Sequence, residues 1–171
     1  MTKTIGSSCR GDAVKLASGL RFSLLCAVIL PLAGCAPATK LQPPAASIQQ
    51  LQALPSGQWQ LNLRVENYSY DTAMHVYALD ADLSLGGANA GHFAVSPALD
   101  IPAMSADTAT AILTPAAEAR TALANAKGKA VAYELKGKLN VGKGESGKPQ
   151  SFDLDGKGYL SPVPGVANTW R

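Results

Sequence analysis

Trp59-Gln60-Leu61-Asn62-Leu63-Arg64-Val65-Glu66-Asn67 decides the fold. Up to Val65 the odd positions are apolar and the even ones polar, and in an extended chain successive side chains point to opposite faces. Trp59, Leu61, Leu63 and Val65 therefore share one dry face, whereas a helix would scatter them around its axis. A strand with one face in a core and the other in water belongs to an antiparallel sheet.

Reading outward, the same pattern recurs. From Met74 to Leu85, Tyr77, Leu79, Ala81, Leu83 and Leu85 alternate with Asp80, Asp82 and Ser84. Ahead of Leu79 the apolar Met74, Val76 and Ala78 take the opposite parity, which calls for a bulge or a stretch buried on both faces. Gly86-Gly87-Ala88-Asn89 supplies a turn into a short antiparallel strand near 90–95. Ser96-Pro97 interrupts it, and Leu99-Asp100-Ile101-Pro102 reads as an edge or connecting strand. Residues 105–113 form another strand. Thr114 as side-chain cap and Pro115 at the first position then open a helix to Ala126, with Gly128 as its stop. Val131, Tyr133, Leu135, Leu139 and Val141 restore alternation, with Gly137 as a bend. Residues 142–148 form a hairpin loop, and 151–160 the last strand, closed by Pro162 and Pro164. About seven strands with regularly spaced turns and one short helix in a connection predict an all-β, antiparallel β-sandwich. Trp59, Leu61, Leu63, Val65, Tyr133 and Leu135 are expected to point inward.

Toward the N-terminus the chain changes character. The apolar run Phe22-Ser23-Leu24-Leu25-Cys26-Ala27-Val28-Ile29-Leu30 is too short for a membrane span, which needs about 20 residues, and suits a secretory segment. Lys3, Arg10, Lys15 and Arg21 precede it, against the single acid Asp12. Leu32-Ala33-Gly34-Cys35 follows it and resembles the lipobox of bacterial lipoprotein precursors. That resemblance implies cleavage before Cys35, acylation of its sulfur and of the new N-terminus, and attachment to a membrane through the acyl chains. Ala36 after the cysteine implies passage to the outer membrane, with the domain facing the periplasm. The stretch ahead of the apolar run is long for such a leader, and a translation start at Val14 would shorten it.

The expected organisation is a signal peptide at 1–34, a lipid-anchored Pro/Ala/Gln-rich tether at 35–57, a sandwich at 58–165 and a C-terminal tail at 166–171. Within the tether, Ile48, Leu51 and Leu54 fall at helical spacing before Pro55 and Gly57, which reads as one brief turn.

Charge and cysteine usage narrow the function classes. The formal +3 belongs to the leader: without residues 1–34 the chain keeps eleven basic and eleven acidic residues. A balanced chain offers nucleic acid no electrostatic footprint. Of three cysteines, Cys9 and Cys26 leave with the leader, so Cys35 has no partner for an internal disulfide and apolar burial must hold the domain.

Catalysis needs a nucleophile with a base, an acid–base pair or a metal. The only histidines are His75 and His92. Two histidines on neighbouring strands could meet, but surface or cavity positions are commoner, and no catalytic set, cofactor or metal site is expected. Asp80 with Asp82, and Asp153 with Asp155, read as solvated strand faces. Lys127, Lys129, Lys136, Lys138, Lys143 and Lys148 concentrate basic charge in one stretch, which could attract anionic lipid headgroups. Lysines guarding exposed strand edges are the commoner arrangement. The glycines of 142–148 do not form a phosphate loop, because Pro149 follows Lys148 where a Ser or Thr is required.

Three stretches together resemble the type 2 late embryogenesis abundant family, also called the water-stress and hypersensitive-response domain. They are Leu61-Asn62-Leu63-Arg64-Val65-Glu66-Asn67, Ile101-Pro102-Ala103-Met104-Ser105 and Tyr133-Glu134-Leu135-Lys136-Gly137-Lys138-Leu139. The family usually has proline after that asparagine, where this chain has Tyr68. The resemblance implies a fibronectin/immunoglobulin-like sandwich and a non-catalytic role in protection against desiccation or related stress. It carries over no catalytic residues. The alternative is a lipid-anchored binding module for a specific periplasmic or envelope partner, with the sandwich as scaffold.

Overall fold

The structure, a computed structural model, describes residues 40–126 and 128–171. The leader, the lipobox, Cys35 and Lys127 lie outside the described residues. The fold is an all-β sandwich of two antiparallel sheets. In chain order its strands are β1 (Ala45–Ala53), β2 (Trp59–Asn67), β3 (Met74–Leu85), β4 (Ala88–Val95), β5 (Leu99–Ile101) and β6 (Ser105–Leu113). The helix α1 (Ala117–Asn125) follows, then β7 (Val131–Lys143), β8 (Gln150–Leu160) and β9 (Thr169–Trp170). One sheet has the order β6-β2-β1-β9, and the other β4-β3-β7-β8 with β5 also paired to β3. The chain thus crosses between sheets after β2, β5, β6 and β8, as in immunoglobulin- and fibronectin-like sandwiches.

The alternating residues fill the interior as their period requires. Trp59, Leu61, Leu63 and Val65 are buried and face Leu79, Ala81, Leu83, Leu85, Tyr133, Leu135 and Leu139 from the other sheet. The parity change in β3 is a bulge: Val76 pairs with Val141 and Ala78 with Asn140, so Tyr77 is the extra residue. Gly86 and Gly87, both at positive φ (59° and 83°), form the two-residue turn between β3 and β4.

Several expectations need correction. The tether to residue 57 ends far earlier, because Ala45–Ala53 is a full strand paired along β2. Even Leu41 is buried in the core, and the Gln42 N–H donates to Ser69 Oγ at 3.0 Å. The helical spacing of Ile48 and Leu51 comes from a second bulge. Ile48 pairs with Leu63 and Gln50 with Asn62, so the extra residue Gln49 lets two residues three apart both point inward. The C-terminal tail is likewise not free: turns at 164–165 and 167–168 bring the chain back, Pro162 bridges Trp170, and β9 pairs with β1 through Leu51–Trp170. With β1 and β9 added, the count rises from about seven to nine.

The helix starts later than its signals suggest. The Ala116 N–H donates to the Ala90 carbonyl at 2.9 Å, which keeps the chain extended and makes Ala116, not Thr114, the capping residue. Finally, Gly137 is less a bend than a close approach. A Cβ there would strike the Asp80 carbonyl and lie 2.6 Å from Ala81 Cα on the neighbouring strand.

The two sheets lock together where β1 meets β8. At Gly156 a Cβ would lie 2.6 Å from the Ala46 carbonyl oxygen, and at Gly158 it would meet the Tyr133 ring. The ring's hydroxyl accepts a hydrogen bond from the Ile48 N–H, next to the β1 bulge, at 3.1 Å. These glycines bring one backbone against the other sheet, and that bond satisfies the Ile48 amide there.

Candidate functional site

Most of the charged residues singled out in the sequence fall on the outer face of one sheet, and the outer faces of the two sheets differ in chemistry. On the β4-β3-β7-β8 sheet the outward residues align in rows across the strands. His92, Asp82, Lys136 and Asp155 form one row; Asp80, Lys138 and Asp153 form the next; Ser84, Glu134 and Lys157 form a third. Both aspartate pairs read from the sequence are therefore on this face, on either side of the β7 lysines. Lys136 and Lys138 do not guard an edge, since β7 is an inner strand. Each stands instead between aspartates of both neighbouring strands, which makes the face a checkerboard of opposite charges.

Within it, Glu134 lies 3.4 Å from Lys136 and 3.6 Å from Lys157. The field of Lys157, with Lys136 adding a hydrogen bond and further charge, holds the Glu134 carboxyl below its ordinary pKa. His92 bridges two acids, with Nδ1 3.2 Å from Asp82 and Nε2 3.6 Å from Asp80. Exposed pairs of this kind add little to stability, because water and salt screen them. Their effect is on the surface: dense, hydrated charge of both signs, hostile to strand addition.

The opposite face is built mainly of uncharged polar groups. Its rows are Gln52, Gln60 and Ile112; Gln50, Asn62 and Thr110; and Ser47, Arg64 and Thr108. Thr110 Oγ1 donates to Asn62 Oδ1 at 3.3 Å. Where the face ends, Glu66 accepts from Tyr68 Oη at 2.6 Å and from Arg64 Nε at 2.8 Å. The Tyr68 hydrogen bond first, and then that of Arg64, draw the Glu66 carboxyl below its ordinary pKa, and the same bond raises that of Tyr68. A groove of about 480 Å³ opens beside these residues, walled by Met104, Ser105 and Ala106. This amide-rich face was invisible in the sequence, because a third of it, including the amides of Gln50 and Gln52, lies on β1.

The two histidines do not meet. His92 faces Asp82, whereas His75 lies seven residues back along β3, opposite Asp100 of β5. His75 is buried, and its Nδ1 is 2.7 Å from Asp100 Oδ1. Of the lysine cluster, Lys129, Lys136, Lys138, Lys143 and Lys148 are exposed. Among the described residues no helix is long and apolar enough to cross a membrane.

Asn67, the residue on which the family resemblance leaned, is buried where the chain changes sheets. Its Nδ2 donates toward the carbonyls of Thr72 (2.9 Å), Ile101 (3.1 Å) and Pro102 (3.0 Å). Its Oδ1 accepts from the Ser69 N–H at 2.9 Å. It is a structural clasp between the β2–β3 and β5–β6 crossings.

Compared with known proteins, the chain matches no family model. No curated protein sequence matches it either. Solved structures do resemble it. A solution structure of an Arabidopsis thaliana protein is 14% identical with a TM-score of 0.50, and covers 75% of this chain and 88% of its own. A crystal structure of an Archaeoglobus fulgidus protein is 11% identical with a TM-score of 0.41, covering 72% of this chain and 98% of its own. At such identity the Arabidopsis likeness speaks for the fold alone.

Proposed function

We propose that this chain is a lipid-anchored, non-catalytic cell-envelope protein of the type 2 late embryogenesis abundant kind, which protects macromolecules during desiccation by shielding them. The observation that carries the reading is the pair of outer faces. One offers charges of both signs in alternation, the other amides and hydroxyls, while the large aliphatic side chains are mostly inside. When water is withdrawn, polar groups on any macromolecule lose hydrogen-bond partners at a cost of about 1–3 kcal/mol each. A rigid surface crowded with donors and acceptors replaces some of those partners without bringing apolar surface that would promote aggregation. Acylation at Cys35 would keep this surface at the outer membrane, facing the periplasm, because two or more acyl chains hold a protein stably.

The test is a drying assay. A labile enzyme dried with the protein should retain more activity than one dried with equal mass of an unrelated globular protein. Replacing Gln50, Asn62 and Thr110 together by alanine should reduce the protection while leaving the urea midpoint nearly unchanged. Protection no better than the control protein would refute the reading. For the anchor, wild-type protein should stay in the membrane fraction through high-salt washing. Cys35→Ser should abolish lipid labelling and leave an unprocessed precursor.

A further inference from the structure

We propose that His75, Asp100 and Glu145 form a binding site for one divalent transition-metal ion, with zinc the first choice. The three residues come from β3, β5 and the loop between β7 and β8. Asp100 is the direct cross-strand partner of His75, and Gly142 is its partner on the other side. The loop leaving β7 then folds over this row, and one ligand atom from each of the three side chains lies within 4.8 Å of the others.

The surroundings hold this arrangement in place. The bulge in β3 re-aims Tyr77 so that its ring packs edge-on against His75, centroids 4.6 Å apart at 61°. Its hydroxyl lies 2.8 Å from both the Glu145 and the Gly147 carbonyl oxygens, to which it donates, and so pins the loop that carries Glu145. Gly142 leaves room for that ring, since a Cβ would lie 2.9 Å from it. The Gly144 N–H donates to the Ala73 carbonyl at 3.1 Å, fastening the loop on its other side. A buried imidazole is thus presented to one carboxylate on a rigid strand and a second on a fastened loop.

Zinc takes histidine nitrogen and carboxylate oxygen at about 2.0–2.2 Å, which places donor atoms roughly 3.3–3.5 Å apart. The His75–Asp100 pair needs only to open slightly and the exposed Glu145 side chain to close, with water completing the shell. An imidazole in the set favours zinc over calcium or magnesium, which prefer all-oxygen shells. The other histidine makes the contrast: Asp80 and Asp82 lie at opposite nitrogens of the His92 ring, so no single nitrogen faces both. A bound ion would staple β3, β5 and the hairpin together in a domain that has no cysteine after Cys35.

Titration of the detergent-solubilised full chain with zinc chloride, by calorimetry and by thermal unfolding, tests this. One ion per chain should bind saturably and raise the unfolding temperature. Glu145→Gln and Asp100→Asn should each weaken that binding at least about tenfold, with Glu145→Gln unfolding at the wild-type temperature when metal-free. His92→Ala should change neither. The proposal is overturned if no ion binds saturably, if binding survives Glu145→Gln undiminished, or if His92→Ala removes it.

Discussion

Asn67 shows how one side chain can hold a topology together. The amide sits where the chain leaves the first sheet and also where it returns, and it bonds carbonyls from both crossings. Removing it strands those buried carbonyls, each costing about 1–3 kcal/mol. Asn67→Ala should therefore destabilise the domain by about 2–5 kcal/mol in urea unfolding. Asn67→Asp should be at least as harmful, because it turns an acceptor toward three acceptors.

Glu66, one residue earlier, permits a pH prediction. Its folded carboxyl is held below the ordinary value of 4.5 by Tyr68 and Arg64. A carboxylate whose folded pKa is depressed contributes stability that is complete above its unfolded pKa and is lost as pH falls through the folded value. An NMR titration should place Glu66 below 4.5, and Tyr68→Phe should return it toward that value while flattening the acid limb of the stability curve. An unchanged titration in Tyr68→Phe would show that the hydroxyl bond is not the main cause.

At the scale of elements, β1 is the piece whose role is largest relative to its sequence signal. It joins β2 on one side and β9 on the other, and its backbone rests against β8 at Gly156. A chain begun at Gln58, the boundary that alternation alone suggests, would lack this strand. It would expose Leu61 and Leu63 along an unpaired β2 edge, a template for aggregation. Such a chain should be insoluble or unfolded, whereas one begun at Lys40 should give a cooperative transition. Folding of the shorter chain with unchanged stability would mean that β1 is dispensable.

For the molecule as a whole, stability rests on a core spanning both sheets, in residues 40–171 that contain no cysteine. Leu63 is fully buried at its centre, so Leu63→Ala should cost about 2–5 kcal/mol by denaturant unfolding, a large share of a typical total of about 5–15. A loss below about half a kcal/mol would place it outside the core.

The sequence by itself determined the all-β class, the strands with strict period, the glycine turn after β3 and the inward set from Trp59 to Leu135. Alternation is a local property, and one buried face imposes it on each strand separately. Only the tertiary structure decided the membership of β1 and β9, the place of the β7 lysines and the meeting of His75 with Glu145. A bulge at Gln49 erased the period of β1, and a strand as short as β9 has none to show. Which charges stand side by side depends on pairing register between distant segments, and that is fixed by packing of the core rather than by any neighbour in the chain.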